Sequence, residues 1–108
     1  MSVKFVIEST TEEKWTREFD ASIGAADYLP LASRFLIYTW DLEDNEEVWI
    51  QLVTDKSGPD KWENFIKLTN DKPFADIPHS MNFRIYKPTT TNEVGVGIAG
   101  ENADNIKL

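Results

Sequence analysis

Apolar and polar side chains alternate along several short segments of this chain, and this period of two constrains the fold more than any other feature. Successive side chains of a β-strand point to opposite faces, so alternation is typical of strands with one buried face. Six segments combine this pattern with β-branched and aromatic residues; they span 3–8, 15–20, 34–42, 46–55, 81–87 and 93–99.

The connections between these segments are short, and most read as turns. STTEEK after the first segment and PTTTN after 81–87 are typical of hairpin turns, and NDKPFADIPHS, with two prolines, is predicted to be a loop. Too little chain separates the segments for helical crossovers between parallel strands, so the pattern predicts antiparallel pairing between consecutive strands.

Two stretches are compatible with a short helix. In 22–33, Ser22 is a suitable N-cap and Pro30 ends any helix, so a short helix or a loop is expected there. In 60–69, Trp62 and Ile66 share a helical face, although this stretch also alternates as a strand does. The sequence predicts one α+β domain over 1–108, mostly antiparallel sheet of about six strands with one or two short helices; an all-β sandwich is the alternative.

Charge and composition exclude several classes of function. Nineteen acidic residues against eleven basic ones give a net charge of −8, which repels phosphate backbones, so direct nucleic-acid binding is not expected. The chain has no cysteine, which excludes disulfides and thiolate metal sites and fits a reducing compartment. No signal-peptide pattern and no apolar run of about 20 residues is present, so a cytoplasmic protein without membrane insertion is expected.

Two features that resemble catalytic or cofactor motifs do not support one. GVGIAG has the spacing of a dinucleotide-binding loop, but only ENADNIKL follows it, too little for the helix that receives the pyrophosphate. Its valines indicate a strand in which Gly95 and Gly97 leave one face open to another side chain or chain. His79 is the only histidine, which excludes metal sites built on several imidazoles, and no nucleophile motif is present. The carboxylates are numerous enough for a glycosidase pair, but no spacing selects one, so no metal, cofactor or catalytic residue is predicted.

The most distinctive segment is WDLEDNEEVW, residues 40–49. A two-residue type I′ turn at Asp44 and Asn45 predicts a hairpin that pairs Trp40 with Trp49 and Tyr38 with Gln51. One face of this hairpin then carries a recognition platform, formed by Tyr38, Trp40, Trp49 and Gln51. The other face is the predicted core, formed by Phe35, Ile37, Val48, Ile50 and Leu52.

Two functions fit this segment. Aromatic rings beside hydrogen-bonding groups are typical of surfaces that bind carbohydrate or protein, unless a helix at 60–69 covers them. The alternative is an acidic interaction or inhibitor protein that occupies a basic site on a partner; its carboxylates are those of Asp41, Glu43, Asp44, Glu46 and Glu47. A calcium loop is not expected, because the segment has no glycine for the bend.

The last strand raises the question of self-association. If NEVGVGIAG lies at a sheet edge, its unpaired backbone groups offer a template for a second subunit, and a homodimer is expected. If the strand lies between two others, its glycines instead fit beneath a tryptophan such as Trp15 or Trp62.

Overall fold

The computed structural model of the chain describes residues 2–19, 35–55, 61–77, 82–100, 103–106 and 108. Its strands are β1 Ser2–Thr10, β2 Lys14–Trp15, β3 Phe35–Thr39, β4 Val48–Asp55, β5 Lys61–Leu68, β6 Phe74–Ile77, β7 Phe83–Lys87 and β8 Val94–Gly100, and a 3-10 helix spans Ala103–Asn105. No helix in these ranges is long and apolar enough to cross a bilayer. The predicted helix or loop at 22–33 and His79 lie outside them.

The strands form two antiparallel sheets of four. Sheet A has the order β1-β8-β3-β6, and sheet B has the order β2-β7-β4-β5. The prediction of a mostly antiparallel β protein is confirmed. The predicted count of about six strands is too low, because the described residues hold eight strands and a single 3-10 turn. Of the two stretches predicted as compatible with a short helix, 60–69 contains a strand, and 22–33 is not among the described residues.

One hydrophobic core lies between the inner faces of the two sheets. Alternate residues of both sheets supply it, as period-two alternation requires. Its buried side chains are Ile7, Phe35, Ile37, Val94, Val96 and Ile98 from sheet A, and Val48, Ile50, Leu68, Phe83 and Ile85 from sheet B. Phe35, Ile37, Val48 and Ile50 were predicted as core, and all four are fully buried; Leu52 is half-buried and packs against this cluster.

Three expected hairpins are absent, which is the main correction to the sequence-based topology. The chain passes from sheet A to sheet B between β1 and β2 and between β3 and β4, and returns to sheet A between β7 and β8. Among the described strands, β4 and β5 are the only consecutive pair that is hydrogen-bonded. Most connections therefore cross between the sheets instead of joining neighbours.

Two local assignments also change. Residues 60–69 contain β5 and not a helix, so the alternation that also fitted a strand was the correct indication. The expected loop at 70–80 contains β6, which begins directly after Pro73 and lies at the edge of sheet A, where a neighbouring proline is tolerated. The Pro73 carbonyl still accepts a hydrogen bond of 2.9 Å from the Thr39 backbone.

β8 is an interior strand, between β1 and β3, so the proposed pairing of this strand with a second subunit is ruled out. Its two interior glycines lie beneath aromatic rings. A Cβ on Gly95 would lie 2.8 Å from Cζ2 of Trp40, and a Cβ on Gly97 would lie 2.5 Å from Cζ of Tyr38. The prediction that the open face admits another side chain is confirmed, with Trp40 and Tyr38 in place of Trp15 or Trp62.

A lysine is buried at one end of the core. Lys87 Nζ donates to the backbone oxygens of Glu12, at 2.7 Å, and Pro88, at 3.0 Å. Burial lowers the pKa of Lys87, while the charges of Glu46 and Glu12 act to raise it. This ammonium group therefore ties the turn after β1 to the loop after β7.

Candidate functional site

The connection between β3 and β4 carries the acidic segment and determines where the predicted platform residues lie. Asp44 and Asn45 form a turn closed by a 3.0 Å hydrogen bond from Glu46 N to Glu43 O. Asp41, with φ of 60°, is the one described non-glycine residue with a positive φ, so Asp44 and Asn45 do not form a type I′ turn. Without that turn the flanking strands are not held in register, and the chain crosses to the other sheet.

The four predicted platform residues lie on two different sheets. Tyr38 and Trp40 lie on the outer face of sheet A, and the ring centroid of Trp40 is 5.8 Å from that of Tyr38. Trp49 and Gln51 lie on sheet B, where they pair with Tyr86 and Arg84 of β7. The predicted pairing of Trp40 with Trp49 is wrong; a role in ligand binding stays a prediction for each of the four.

The outer face of sheet B carries most of the tryptophans of the protein. Strand register places Trp15, Tyr86, Trp49 and Lys67 in one row across four strands. The rings of Trp15 and Tyr86 are stacked at 4.8 Å, and Lys67 Nζ lies 5.9 Å from the centre of the Trp49 ring. Trp15 is 51% exposed, so this row is open to solvent at its β2 end.

A polar row lies beside the aromatic one. Arg84 Nε donates to Gln51 Oε1 at 2.6 Å, and Gln51 Nε2 donates to Asn64 Oδ1 at 2.8 Å. The guanidinium also lies 4.5 Å from the centre of the Trp62 ring, and its burial lowers the pKa of Arg84 from the usual value. We call this surface, formed by Trp15, Gln51, Trp49, Trp62, Asn64, Arg84 and Tyr86, the tryptophan face.

The tryptophan face keeps hydrogen-bonding capacity for a ligand. The chain from Arg84 to Asn64 uses one guanidinium N–H and neither of the Asn64 amide hydrogens. No described residue accepts a hydrogen bond from the Asn64 side-chain amide, which is solvent-exposed. At the β2 end, Tyr86 donates its hydroxyl proton to Glu13, and this bond raises the pKa of Tyr86.

The acidic segment is largely engaged within the protein. Four of its five carboxylates have partners: Glu43 with Asn92, Asp44 with Asn70, Glu46 with two backbone amides, and Glu47 with Trp49 and Lys67. These bonds hold the connection between β3 and β4 against the loop after β7 and the turn after β5. The segment has a structural use; binding of a basic partner stays a prediction.

Glu46 is expected to make stability depend on pH in the acidic range. Its carboxylate accepts hydrogen bonds from Glu43 N at 2.9 Å and Thr91 N at 2.6 Å, and the pKa of Glu46 is lowered, chiefly by the Glu43 amide. A lowered folded-state pKa adds stability above the usual carboxyl range that is lost as pH falls through the folded-state value. Because the group is near solvent, the effect is at most about 1 kcal/mol.

Glu46→Gln should therefore lose stability at neutral pH, and its stability should depend less on pH across the acidic range. Urea unfolding at a series of pH values measures this. Asp41→Asn is the matched control: it removes one charge from the same connection, and no described group donates a hydrogen bond to the Asp41 carboxylate. An identical pH dependence in the wild type and Glu46→Gln would contradict the role given to Glu46.

Sequence reasoning missed five members of the tryptophan face. These members lie beside Trp49 and Gln51 because of strand pairings that the predicted hairpins did not include. They are Trp15, Trp62, Asn64, Arg84 and Tyr86. A signal for two of them was present in MNFRIYK, where Arg84 and Tyr86 alternate with buried residues and so face outward.

The described residues contain no group of three or more histidine, cysteine, aspartate or glutamate side chains that could hold a metal ion. No family model, curated protein or solved structure matches this chain. The function is therefore argued from the geometry of the tryptophan face.

Proposed function

We propose that this protein is a non-enzymatic binding protein that holds carbohydrate on the tryptophan face. The observation that carries the proposal is the juxtaposition of two rows on one solvent-facing sheet surface: aromatic rings in the first, and hydrogen-bonded amide and guanidinium groups in the second. A sugar ring needs both, since its C–H groups form an apolar face and its hydroxyls lie at the rim.

The aromatic row supports stacking. Trp15 and Tyr86 are stacked on each other, and Trp15 is open to solvent, while Trp49 lies on the other side of Tyr86. Large rigid rings supply contact area at little cost in conformational entropy. Three adjacent aromatic side chains along one row fit an extended chain of sugars better than a single deeply held one.

The polar row supports recognition of hydroxyl groups. The amide and guanidinium groups of Gln51, Asn64 and Arg84 fix one another by hydrogen bonds, so their remaining donors are oriented before a ligand arrives. Pre-orientation reduces the entropy lost on binding. Donors predominate in this row, which suits the oxygen atoms of sugar hydroxyl groups.

The proposal is tested with a glycan array followed by tryptophan-fluorescence titration of any hit. Trp49→Ala is expected to weaken binding about tenfold or more, because truncating a central aromatic anchor costs about 2 kcal/mol. Trp15→Ala should weaken it as well. The affinity should change little with salt, since a neutral sugar gains nothing from screened charges.

The matched control is Phe5→Ala. Phe5 is 56% exposed against 51% for Trp15, and it lies on sheet A, so its loss removes a comparable exposed ring from the opposite sheet. Equal weakening by Phe5→Ala and Trp15→Ala would contradict binding at the tryptophan face. Affinity that falls steeply with added salt would favour the acidic-segment alternative, in which a basic protein partner is bound.

A further inference from the structure

A second cluster of aromatic side chains lies on the outer face of sheet A. Phe5 of β1 and Trp40, after β3, meet at an interplanar angle of 82° with ring centroids 5.8 Å apart. Two rings at a right angle form the walls of a corner. The corner opens into a cavity of about 280 Å³ lined by Phe5, Ile7, Glu8, Ser9 and Trp40.

The glycines of β8 make this corner possible. Trp40 lies over Gly95, so its ring reaches across the central strand to β1, where its Nε1 donates to Ser9 Oγ at 3.3 Å. That bond occupies the one polar group of the indole. The ring of Tyr38 lies over Gly97 beside it, tilted by 41° to Trp40. The rings of Phe5, Tyr38 and Trp40 thus lie together over two glycines of β8, where no side chain separates them from the backbone.

The charge of the cavity selects for a cation. Its one ionisable lining residue is Glu8, whose side chain is exposed, and no lysine or arginine lines it. The ring faces of tryptophan and phenylalanine attract cations through their quadrupoles. The net charge of −8 adds a favourable long-range field.

We propose that this corner binds a quaternary ammonium group, with Trp40 and Phe5 as its aromatic walls and Glu8 as the counter-charge. A trimethylammonium group combines a positive charge with an apolar surface and has no hydrogen-bond donors. It matches a cavity whose walls are apolar and whose charge is negative. An ordinary ammonium group is strongly hydrated and would lose hydrogen bonds to water there that ring faces do not replace.

The experiment uses tetramethylammonium chloride as the probe and the indole N–H signals in an NMR spectrum of the full chain as the readout. Trp40 is identified by the signal that disappears in Trp40→Phe. A saturable shift of that signal is expected, against sodium chloride at equal ionic strength. Choline should act likewise, whereas 3,3-dimethylbutanol, its uncharged isostere, should not.

Phe5→Ala and Glu8→Gln test the walls and the counter-charge, and each should weaken binding by about two- to fivefold. Both side chains are exposed, so the fold should persist. Phe74→Ala is the matched control, since Phe74 is 48% exposed on the same sheet and does not line the cavity. Any of three results overturns the proposal: the Trp40 signal shows no saturable shift, the uncharged isostere binds as well as choline, or Phe74→Ala weakens binding as much as Phe5→Ala does.

Two biological sources carry this chemistry, and two further arms distinguish them. Sedimentation with phosphatidylcholine vesicles, against phosphatidylglycerol vesicles, tests a lipid headgroup. Titration with a trimethyl-lysine peptide, against the unmodified peptide, tests a modified protein. Binding of the small cations alone assigns the corner to a free quaternary ammonium compound. The tryptophan face takes no part in these tests, so either site can fail without the other.

Discussion

Gly95→Ala is expected to lower the free energy of unfolding by about 1–3 kcal/mol, and by more than Gly97→Ala. A Cβ at Gly95 would lie 2.7 Å from the backbone oxygen of Ile7 and 3.0 Å from the backbone nitrogen of Ser9. Those atoms belong to the neighbouring strand β1, so they move only if the pairing between β1 and β8 is disturbed. The loss of stability therefore comes from weaker pairing between β1 and β8.

Gly97→Ala provides the comparison, because the atoms closest to its added Cβ are all in the Tyr38 side chain. That side chain lies on an outer face, where it can rotate toward solvent. Urea unfolding of both variants measures the difference, and the Trp40 indole signal reports whether the corner on sheet A is altered. A smaller loss of stability in Gly95→Ala than in Gly97→Ala would contradict this prediction and show that the β1 backbone moves more easily than the Tyr38 ring.

Phe83→Ala should produce the largest loss of stability, about 3–5 kcal/mol, out of the 5–15 kcal/mol typical of a folded domain. Phe83 is fully buried, and its ring centroid lies 5.3 Å from that of Phe19, which is also fully buried. The backbones of these two residues exchange hydrogen bonds of 2.7 and 3.1 Å. Removing the ring leaves a cavity and also loosens the segment after β2.

Phe65→Ala is the control, because Phe65 is 54% exposed and lies where the register between β4 and β5 shifts. Truncation there should change stability by only about 0.5 kcal/mol. Thermal unfolding followed by circular dichroism compares the two variants. Similar melting temperatures would mean that the core between the sheets tolerates a large void beside Phe19.

Alternation was sufficient to locate most strands and to assign the inward side chains of β3 and β4. Phe35, Ile37, Val48 and Ile50 are buried as predicted, because period two depends only on local backbone geometry. The same pattern carries no information on which sheet a strand joins. Two strands joined by a short connection have the same alternation whether they pair with each other or face each other across a core.

The connection at 40–47 illustrates the missing information. Asp44 and Asn45 tolerate positive φ, yet the positive φ occurs at Asp41, where the chain leaves β3. The choice depends on contacts far away in sequence, such as the hydrogen bonds from Asn92 and Thr91 to this segment. Since the platform residues were assigned through the hairpin register, Trp49 and Gln51 were matched with the wrong aromatic neighbours.

The strand order also determines when the protein can fold during synthesis. β1 pairs with β8, near the opposite end of the described chain, and β2 pairs with β7. When the ribosome has synthesised β1 through β6, neither β7 nor β8 is present. The backbone groups of β1 and β2 therefore stay unpaired until the last two strands are made. Long-range pairing of this kind slows folding, and β4 with β5, joined locally, is the natural first hairpin. In the nascent chain, the backbone groups of β1 and β2 are thus hydrogen-bonded only after β7 and β8 have been synthesised.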